Sequence, residues 1–198
     1  MKLSRRSSLE RVAACVSGAL NRGGIRAVLC GGACASLYSR GAYQSSDLDF
    51  ILQTAVSPGE LDSIMRTIGF HRRGTHYEHP ETSFFVEFPA GPLGIGADLH
   101  IQPVTYRVGR VKVPALSPTD SCRDRLAAFY HWKDRQSLDV AIAIARRRKI
   151  DLDAVHRWSK KEGALGAYAE FLALLNPRKT TPVPPRKSRL PGALRRPS

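Results

Sequence analysis

Segment 29–52 restricts the possible folds more than any other part of this 198-residue chain. A short apolar run ends in Gly31 and Gly32, and residues compatible with a helix follow directly. Asp47 and Asp49 then alternate with apolar residues in the run DLDFIL, which is the pattern of a strand with both carboxylates on one face. The order strand, glycine turn, helix and strand indicates a mixed α/β architecture.

These residue types suit the chemistry of a nucleoside triphosphate. Glycine allows the backbone to approach phosphate oxygens, and the N–H groups at a helix N-terminus favour an anion. Carboxylates two residues apart on a strand can share a magnesium ion through hard oxygen ligands. Paired metal ions of this kind activate an attacking hydroxyl and stabilise a leaving pyrophosphate oxygen.

The same segment resembles the signature of the DNA polymerase β-like nucleotidyltransferase superfamily, in which a Gly-Gly or Gly-Ser turn and a helix precede an apolar-flanked Asp-x-Asp. The resemblance covers roughly residues 25–90. It implies that Gly31 and Gly32 hold the triphosphate of an NTP substrate, with ATP among the candidates. It also implies that Asp47 and Asp49 bind Mg²⁺, with Mn²⁺ as the alternative ion.

The fourteen residues between Gly32 and Asp47 are a slightly long spacer for this signature. Which of its polar residues reaches the phosphates is therefore open, and the candidates are Arg40, Gln44, Ser45 and Ser46. We expect Ser45 and Ser46 to contact the nucleotide.

The resemblance also implies a third carboxylate on a neighbouring strand, and two residues are candidates. Glu87 lies in the apolar run FFVEF, where a carboxylate is costly to bury unless it meets a cation such as a metal ion. Asp98 lies in the glycine-rich run GADLHI. We expect Glu87 to complete the catalytic group with Asp47 and Asp49, while Asp98 and a partly exposed structural role for Glu87 remain open.

The second half resembles, more weakly, the helical half of the abortive-infection (AbiEii-like) type of bacterial toxin nucleotidyltransferases. That likeness implies that Arg125, Lys133 and Asp134 lie near the triphosphate or the base, although a solvated helix face would show the same generic spacing. Phe129, Tyr130 and Trp132 could stack on a base, but aromatic residues at helical spacing are usually core.

Residue patterns divide the chain into three segments. Residues 1–116 mix helices and strands, from a first helix capped by Ser7 to strands that include one at 95–101. Residues 117–176 are helical throughout, and residues 177–198 hold six prolines and seven Lys or Arg but no acid. The sequence thus predicts an α+β fold: a nucleotidyltransferase-type mixed sheet flanked by helices, then a small helical bundle and a disordered basic tail.

The net charge of +14 favours a polyanionic partner. We therefore expect an RNA acceptor such as tRNA rather than a small polyol, and the toxin-like resemblance adds a possible cognate antitoxin. Four cysteines without a CxxC pair, no signal peptide and no long apolar run predict a cytoplasmic protein that does not cross a membrane. The alternative function is a catalytically inactive module on this fold that binds nucleic acid or a partner.

Overall fold

The structure of the protein, a computed structural model, describes residues 2–176. The tail predicted at 177–198 lies outside the described residues. The helices are α1 (Leu9–Arg22), α2 (Gly31–Ser39), α3 (Pro58–Arg66), α4 (Pro118–Trp132), α5 (Arg135–Arg147), α6 (Leu152–Lys161) and α7 (Leu165–Leu175). The strands are β1 (Ala27–Cys30), β2 (Asp47–Leu52), β3 (His71–Arg73), β4 (His76–Glu78), β5 (Phe85–Glu87), β6 (Val104–Val108) and β7 (Val111–Ala115).

The strands form one sheet in the order β3-β4-β5-β2-β1-β7-β6. Strand β1 pairs antiparallel with β2 and parallel with β7, while β2 pairs parallel with β5. Helix α1 packs mainly against β7, and α2 packs against β1 and β2. The mixed sheet flanked by helices that the sequence predicted is therefore confirmed, with the Asp-x-Asp strand near its centre.

Local sequence signals account for most element boundaries. The hydroxyl of Ser57 and the carboxylate of Glu60 form the capping box that begins α3. Ser117 caps α4, and Pro118 occupies its first turn. Gly109, with φ of 58°, makes the turn between β6 and β7.

The first helix begins one residue later than its sequence pattern predicted. Ser8, not Ser7, is the N-cap, and its hydroxyl accepts a hydrogen bond from the Arg11 N–H at 3.4 Å. The Ser7 hydroxyl instead accepts from the Ser4 N–H at 2.9 Å, which stabilises the turn before the helix. Two adjacent serines gave nearly the same capping pattern, and the preceding turn selects between them.

The strand predicted at 95–101 is wrong. Ile95 and Asp98 form a single isolated antiparallel bridge instead. Gly96 lies between them with φ of 58°, a left-handed conformation that turns the chain back on itself. Apolar residues alternate here, but the glycine prevents the extended backbone that a strand needs.

The C-terminal helices share one hydrophobic core with the sheet. Helix α2 contacts β1 and β2 as well as α4 and α5, so residues such as Ala33, Cys34 and Ala35 are completely buried. The Tyr38 hydroxyl donates to the Leu116 carbonyl at 2.8 Å, at the point where the helical segment begins. The division into domains 1–116 and 117–176 stays a prediction. None of the helices in residues 2–176 is long and apolar enough to cross a membrane.

Candidate active site

Two parallel neighbouring strands present three carboxylates on one face of the sheet. Asp49 of β2 is paired in register with Glu87 of β5, and Asp47 precedes Asp49 by two residues. The alternate residues Leu48 and Val86 are fully buried on the other face. Adjacent strands lie about 4.8 Å apart, so the residues named by the sequence pattern come together as close neighbours.

The site concentrates negative charge around Asp49. Burial is the main cause that raises the pKa of Asp49 to about 6, and the charges of Asp47, Glu87 and Asp124 add to it. Arg125 opposes this shift as the nearby cation. A carboxylate whose ionised form is disfavoured by burial and by three like charges is suited to a bound cation.

The Gly-Gly turn lies directly against these carboxylates. Gly31 has φ of 60°, and a Cβ atom there would lie 2.2 Å from Oδ2 of Asp49. A Cβ atom on Gly32 would lie 2.6 Å from the hydroxyl oxygen of Ser45. Any larger residue would displace the side chains opposite, so the glycines permit close packing of the α2 N-terminus on the Asp-x-Asp strand.

The two serines before β2 have different environments. Ser45 is buried, its N–H donates to the Ser36 hydroxyl at 2.9 Å, and its own hydroxyl donates to Oδ1 of Asp47. Ser46 is exposed, and its carbonyl accepts from the Phe85 N–H at 3.2 Å. Ser45 therefore orients Asp47, whereas the Ser46 backbone ties the start of β2 to β5.

Helix α4 contributes a charged pair to the site. Nη2 of Arg125 lies 2.6 Å from Oδ2 of Asp124, and both side chains are mostly buried. Both act electrostatically on Asp49. The sequence indicated Arg125 through its resemblance but gave no signal for Asp124, because an acid beside an arginine on a helix is common and its electrostatic effect on Asp49 joins residues far apart in the sequence.

Lys133 and Asp134 form the junction between α4 and α5. Lys133 has φ of 57°, and its Nζ donates to the Tyr130 carbonyl at 3.3 Å. Asp134 is the N-cap of α5 and accepts from the Ser137 hydroxyl at 2.6 Å. That hydrogen bond is the main cause that lowers the pKa of Asp134, and the charge of Arg125 also lowers it. The charge of Arg125 thus acts on the junction as well as on Asp49.

Asp98, the other candidate for the third carboxylate, lies outside the sheet. It forms an ion pair with Nη2 of Arg123 at 2.5 Å and accepts from the His100 N–H at 3.0 Å. The hydrogen bond from Arg123 holds the pKa of Asp98 below its ordinary value. The structure brings Glu87 next to Asp49, while Asp98 is neutralised elsewhere.

Hard oxygen donors that share one face suit Mg²⁺ or Mn²⁺. The excess negative charge around Asp49 and the Gly31 turn packed against its carboxylate fit such an ion as well. Over residues 2–176, however, no three His, Cys, Asp or Glu side chains are arranged to hold a metal ion as they stand. The donor chemistry therefore fits a divalent metal. The carboxylate oxygens of the described residues do not yet form a complete set of metal ligands.

A cavity with two arginines adjoins the segment that leads into the site. It has a volume of about 330 Å³, and its lining includes Arg5, Arg6, Glu10, Tyr43 and Gln44. A larger cavity, about 620 Å³, is lined by residues such as Val28 and lies at the other end of the β1–β2 pair.

Comparisons with known proteins support the fold. No protein-family profile and no curated protein matches the sequence. An antigenic nucleotidyltransferase-like protein from Paracoccidioides brasiliensis is 17% identical and superimposes with a TM-score of 0.57, covering 86% of this chain and 95% of its own. The antibiotic-resistance factor ANT(2'')-Ia is 12% identical in two structures. One is in complex with adenylyl-2''-tobramycin, with a TM-score of 0.46 over 85% of this chain and 98% of its own. The other is a solution structure, which superimposes with a TM-score of 0.48 and covers 83% of this chain and 99% of its own. The likeness to the Paracoccidioides brasiliensis protein shows that this chain has a nucleotidyltransferase-type fold.

Proposed function

We propose that this protein is a metal-dependent nucleotidyltransferase that transfers a nucleoside monophosphate from an NTP to a hydroxyl acceptor and releases pyrophosphate. The observation that carries this proposal is the placement of Asp47, Asp49 and Glu87 as neighbours on one face of the sheet, against a Gly-Gly turn at a helix N-terminus. The nucleotidyltransferase-type fold agrees with it.

Asp47, Asp49 and Glu87 would hold Mg²⁺ or Mn²⁺, because they supply hard oxygen ligands and an excess of negative charge. When bound, the metal would polarise the α-phosphate and offset the charge that develops on the leaving pyrophosphate. Ser45 would keep Asp47 in place through its hydroxyl.

In the transfer step, the acceptor oxygen forms a bond to the α-phosphorus while the bond from that phosphorus to the bridging oxygen breaks. The electron pair of the broken bond leaves with pyrophosphate, and Glu87 accepts the proton of the attacking hydroxyl. The N–H groups of Gly31 and Gly32, which lie in the first turn of α2 and so lack partners within the helix, would donate to the triphosphate.

Ser46, Lys133 and Asp134 complete the proposed nucleotide contacts, together with Ser45. Arg125 acts electrostatically on both Asp49 and Asp134 and would offset negative charge on the phosphates. Lys133 would also offset negative charge on the phosphates, from its place at the junction. Asp134 would contribute as the N-cap that begins α5.

RNA, for instance the end of a tRNA, is the proposed acceptor. The net charge of +14 and the arginine-lined cavity beside 43–44 suit a polyanion. A role as a cytoplasmic toxin, with a cognate antitoxin as partner, belongs to the proposal through the sequence resemblance alone.

The test is to incubate the protein with each labelled NTP, total tRNA and Mg²⁺, and then to separate RNA from protein. We expect label in RNA, and we expect Asp49→Asn and Glu87→Gln to abolish it. Asp98→Asn is the matched control and should retain transfer. Undiminished labelling by Asp49→Asn would overturn the proposal, and loss in Asp98→Asn with retention in Glu87→Gln would reverse the choice of third carboxylate.

An inactive binding module on the same fold is the second candidate. The observation that favours it is the lack of converged metal ligands among residues 2–176. Calorimetry with NTP and Mg²⁺ separates the two: metal-dependent NTP binding supports the enzyme, and RNA binding without NTP affinity supports the module.

A further inference from the structure

Trp132, the last residue of α4, carries a large aromatic side chain that the core does not use. Trp132 is 77% exposed, whereas the other tryptophan, Trp158, is 4% exposed. Phe129 and Tyr130, which belong to the same aromatic run, are buried as core residues. Only Trp132 departs from the expectation that this run packs inside the protein.

The position of Trp132 connects it to the carboxylate site. It follows Arg125 by seven residues, which is about two helical turns, so both lie on one face of α4 about 10 Å apart along its axis. The charge of Arg125 acts on Asp49 and also on Asp134, which follows Trp132 by two residues. The exposed indole thus lies along the face of α4 that leads away from the carboxylates.

The indole presents an open aromatic surface next to Lys133, whose Nζ donates to the Tyr130 carbonyl at 3.3 Å, while the neighbouring His131 pairs with Glu162 at 3.4 Å. The His131 ring meets the indole edge-on, with centroids 6.0 Å apart and planes at 68°. Lys133 follows directly in a left-handed conformation that ends the helix, so the indole is held on a structured terminus. Aromatic side chains beside cations are the combination with which proteins bind unpaired nucleobases and their phosphates.

We propose that Trp132 is a stacking platform for a nucleobase, with Lys133 placed to meet the adjoining phosphate. This inference rests on the proposed function, because it assigns the base-binding part of the same site. The base could belong to the donor NTP or to the single-stranded end of an RNA acceptor, and both offer the same aromatic face and flanking negative charge.

The two tryptophans allow a direct binding measurement. Trp132 reports from solvent, while Trp158 is buried and its Nε1 donates to the Ile95 carbonyl at 3.2 Å, so it serves as an internal reference. The full chain is titrated with each NTP and Mg²⁺ in one arm, and with a short single-stranded oligoadenylate in the other. We expect quenching of the solvent-exposed emission in at least one arm.

Affinities are then measured by calorimetry for Trp132→Ala, for Trp132→Phe and for the control Leu99→Ala, which removes another exposed apolar side chain. Loss of stacking should weaken binding by roughly tenfold in Trp132→Ala, while Trp132→Phe retains most of it. Leu99→Ala should bind as the parent protein does. The three variants should keep the parent Tm, because the side chains they change are exposed.

The affected arm identifies the source of the base. If Trp132→Ala weakens the binding of NTP alone, the platform binds the base of the donor. If it weakens the binding of oligoadenylate alone, the platform binds a base of the acceptor, and if it weakens both, the two ligands share the surface. Equal affinities for Trp132→Ala and the parent in both arms would overturn the platform. The transfer assay with Asp49→Asn reports separately on the proposed function. The stacking platform and the proposed function can therefore each fail while the other holds.

Discussion

Asp49 is the side chain whose ionisation the fold opposes most clearly. Burial and the neighbouring charges raise its pKa to about 6 from the ordinary aspartate value of 3.8. A raised carboxyl pKa means that the folded state holds the proton more tightly than the unfolded state does. The ionised carboxylate therefore costs stability at neutral pH, and this cost disappears as the pH falls towards 4.

We expect Asp49→Asn to stabilise the metal-free protein at pH 7, on the order of 2 kcal/mol, because it removes the disfavoured charge. Urea unfolding in the presence of a chelator measures the difference, which should shrink between pH 7 and pH 4. Added Mg²⁺ should stabilise the parent protein and leave the variant unchanged. A variant less stable than the parent at pH 7 would contradict this account of the site.

Gly31 offers a test of close packing against the same carboxylate. Gly31→Ala forces a Cβ atom into the position 2.2 Å from Oδ2 of Asp49 and also strains a backbone with φ of 60°. Gly24→Ala carries the same kind of strain at φ of 73°, but nothing lies within 4 Å of its Cβ.

We therefore expect both variants to lose roughly 1 kcal/mol to backbone strain, and Gly31→Ala to lose more because Asp49 must move. Thermal unfolding and the transfer assay, run on both, separate the two effects. Transfer should fall at least tenfold in Gly31→Ala alone. Equal losses of stability and activity in the two variants would mean that the approach to Asp49 has no consequence.

Among the elements, those with local signals were predictable from the sequence. The capping box of Ser57 and Glu60 and the Gly109 turn depend on residues only a few positions apart, and their predictions are confirmed. The alternation of Asp47 and Asp49 gave their shared face for the same reason. The strand at 95–101 failed because one left-handed glycine outweighs the apolar alternation.

The part of the site that depends on distant contacts was less accessible to sequence reasoning. Glu87 could be proposed because a carboxylate in an apolar strand is unusual, but its register opposite Asp49 emerges only from the sheet. Asp124 carried no signal, since its electrostatic effect on Asp49 depends on how α4 packs against α2. The exposure of Trp132 was equally hidden, because the aromatic run it belongs to has a core pattern.

Helix α5 provides a test of what Asp134 does. Its carboxylate caps the helix by accepting from the Gln136 N–H at 3.0 Å and from the Ser137 hydroxyl. Asp134→Ala should cost about 1 kcal/mol of stability in urea unfolding, while Asp134→Asn should cost only a few tenths because asparagine also caps helices well. Equal stability of the alanine variant and the parent would contradict the capping role. Reduced NTP affinity in Asp134→Asn would show that the charge itself contributes to nucleotide binding.

In the chain as a whole, charge is divided between a locally acidic site and a basic remainder. Residues 177–198 hold seven of the 31 Lys and Arg and no Asp or Glu, so half of the net charge of +14 lies beyond Asn176. The carboxylates that would bind metal and the cations that would bind RNA are therefore largely separate in sequence. Changes to one set should leave the function of the other intact.

We expect removal of residues 177–198 to weaken RNA binding and flatten its salt dependence. A protein that makes fewer phosphate contacts releases fewer counterions from the RNA when it binds. The slope of log affinity against log salt should fall by up to about 5 if all seven cations contact a single strand. Fluorescence titration of labelled tRNA at several salt concentrations measures it. A full-length variant with these seven residues changed to Gln is the control for length and should match the truncation, and both should retain NTP affinity because the carboxylate site lies within residues 2–176. An unchanged slope in both would place the RNA contact on the described part of the chain, with Arg5 and Arg6 as the next residues to change.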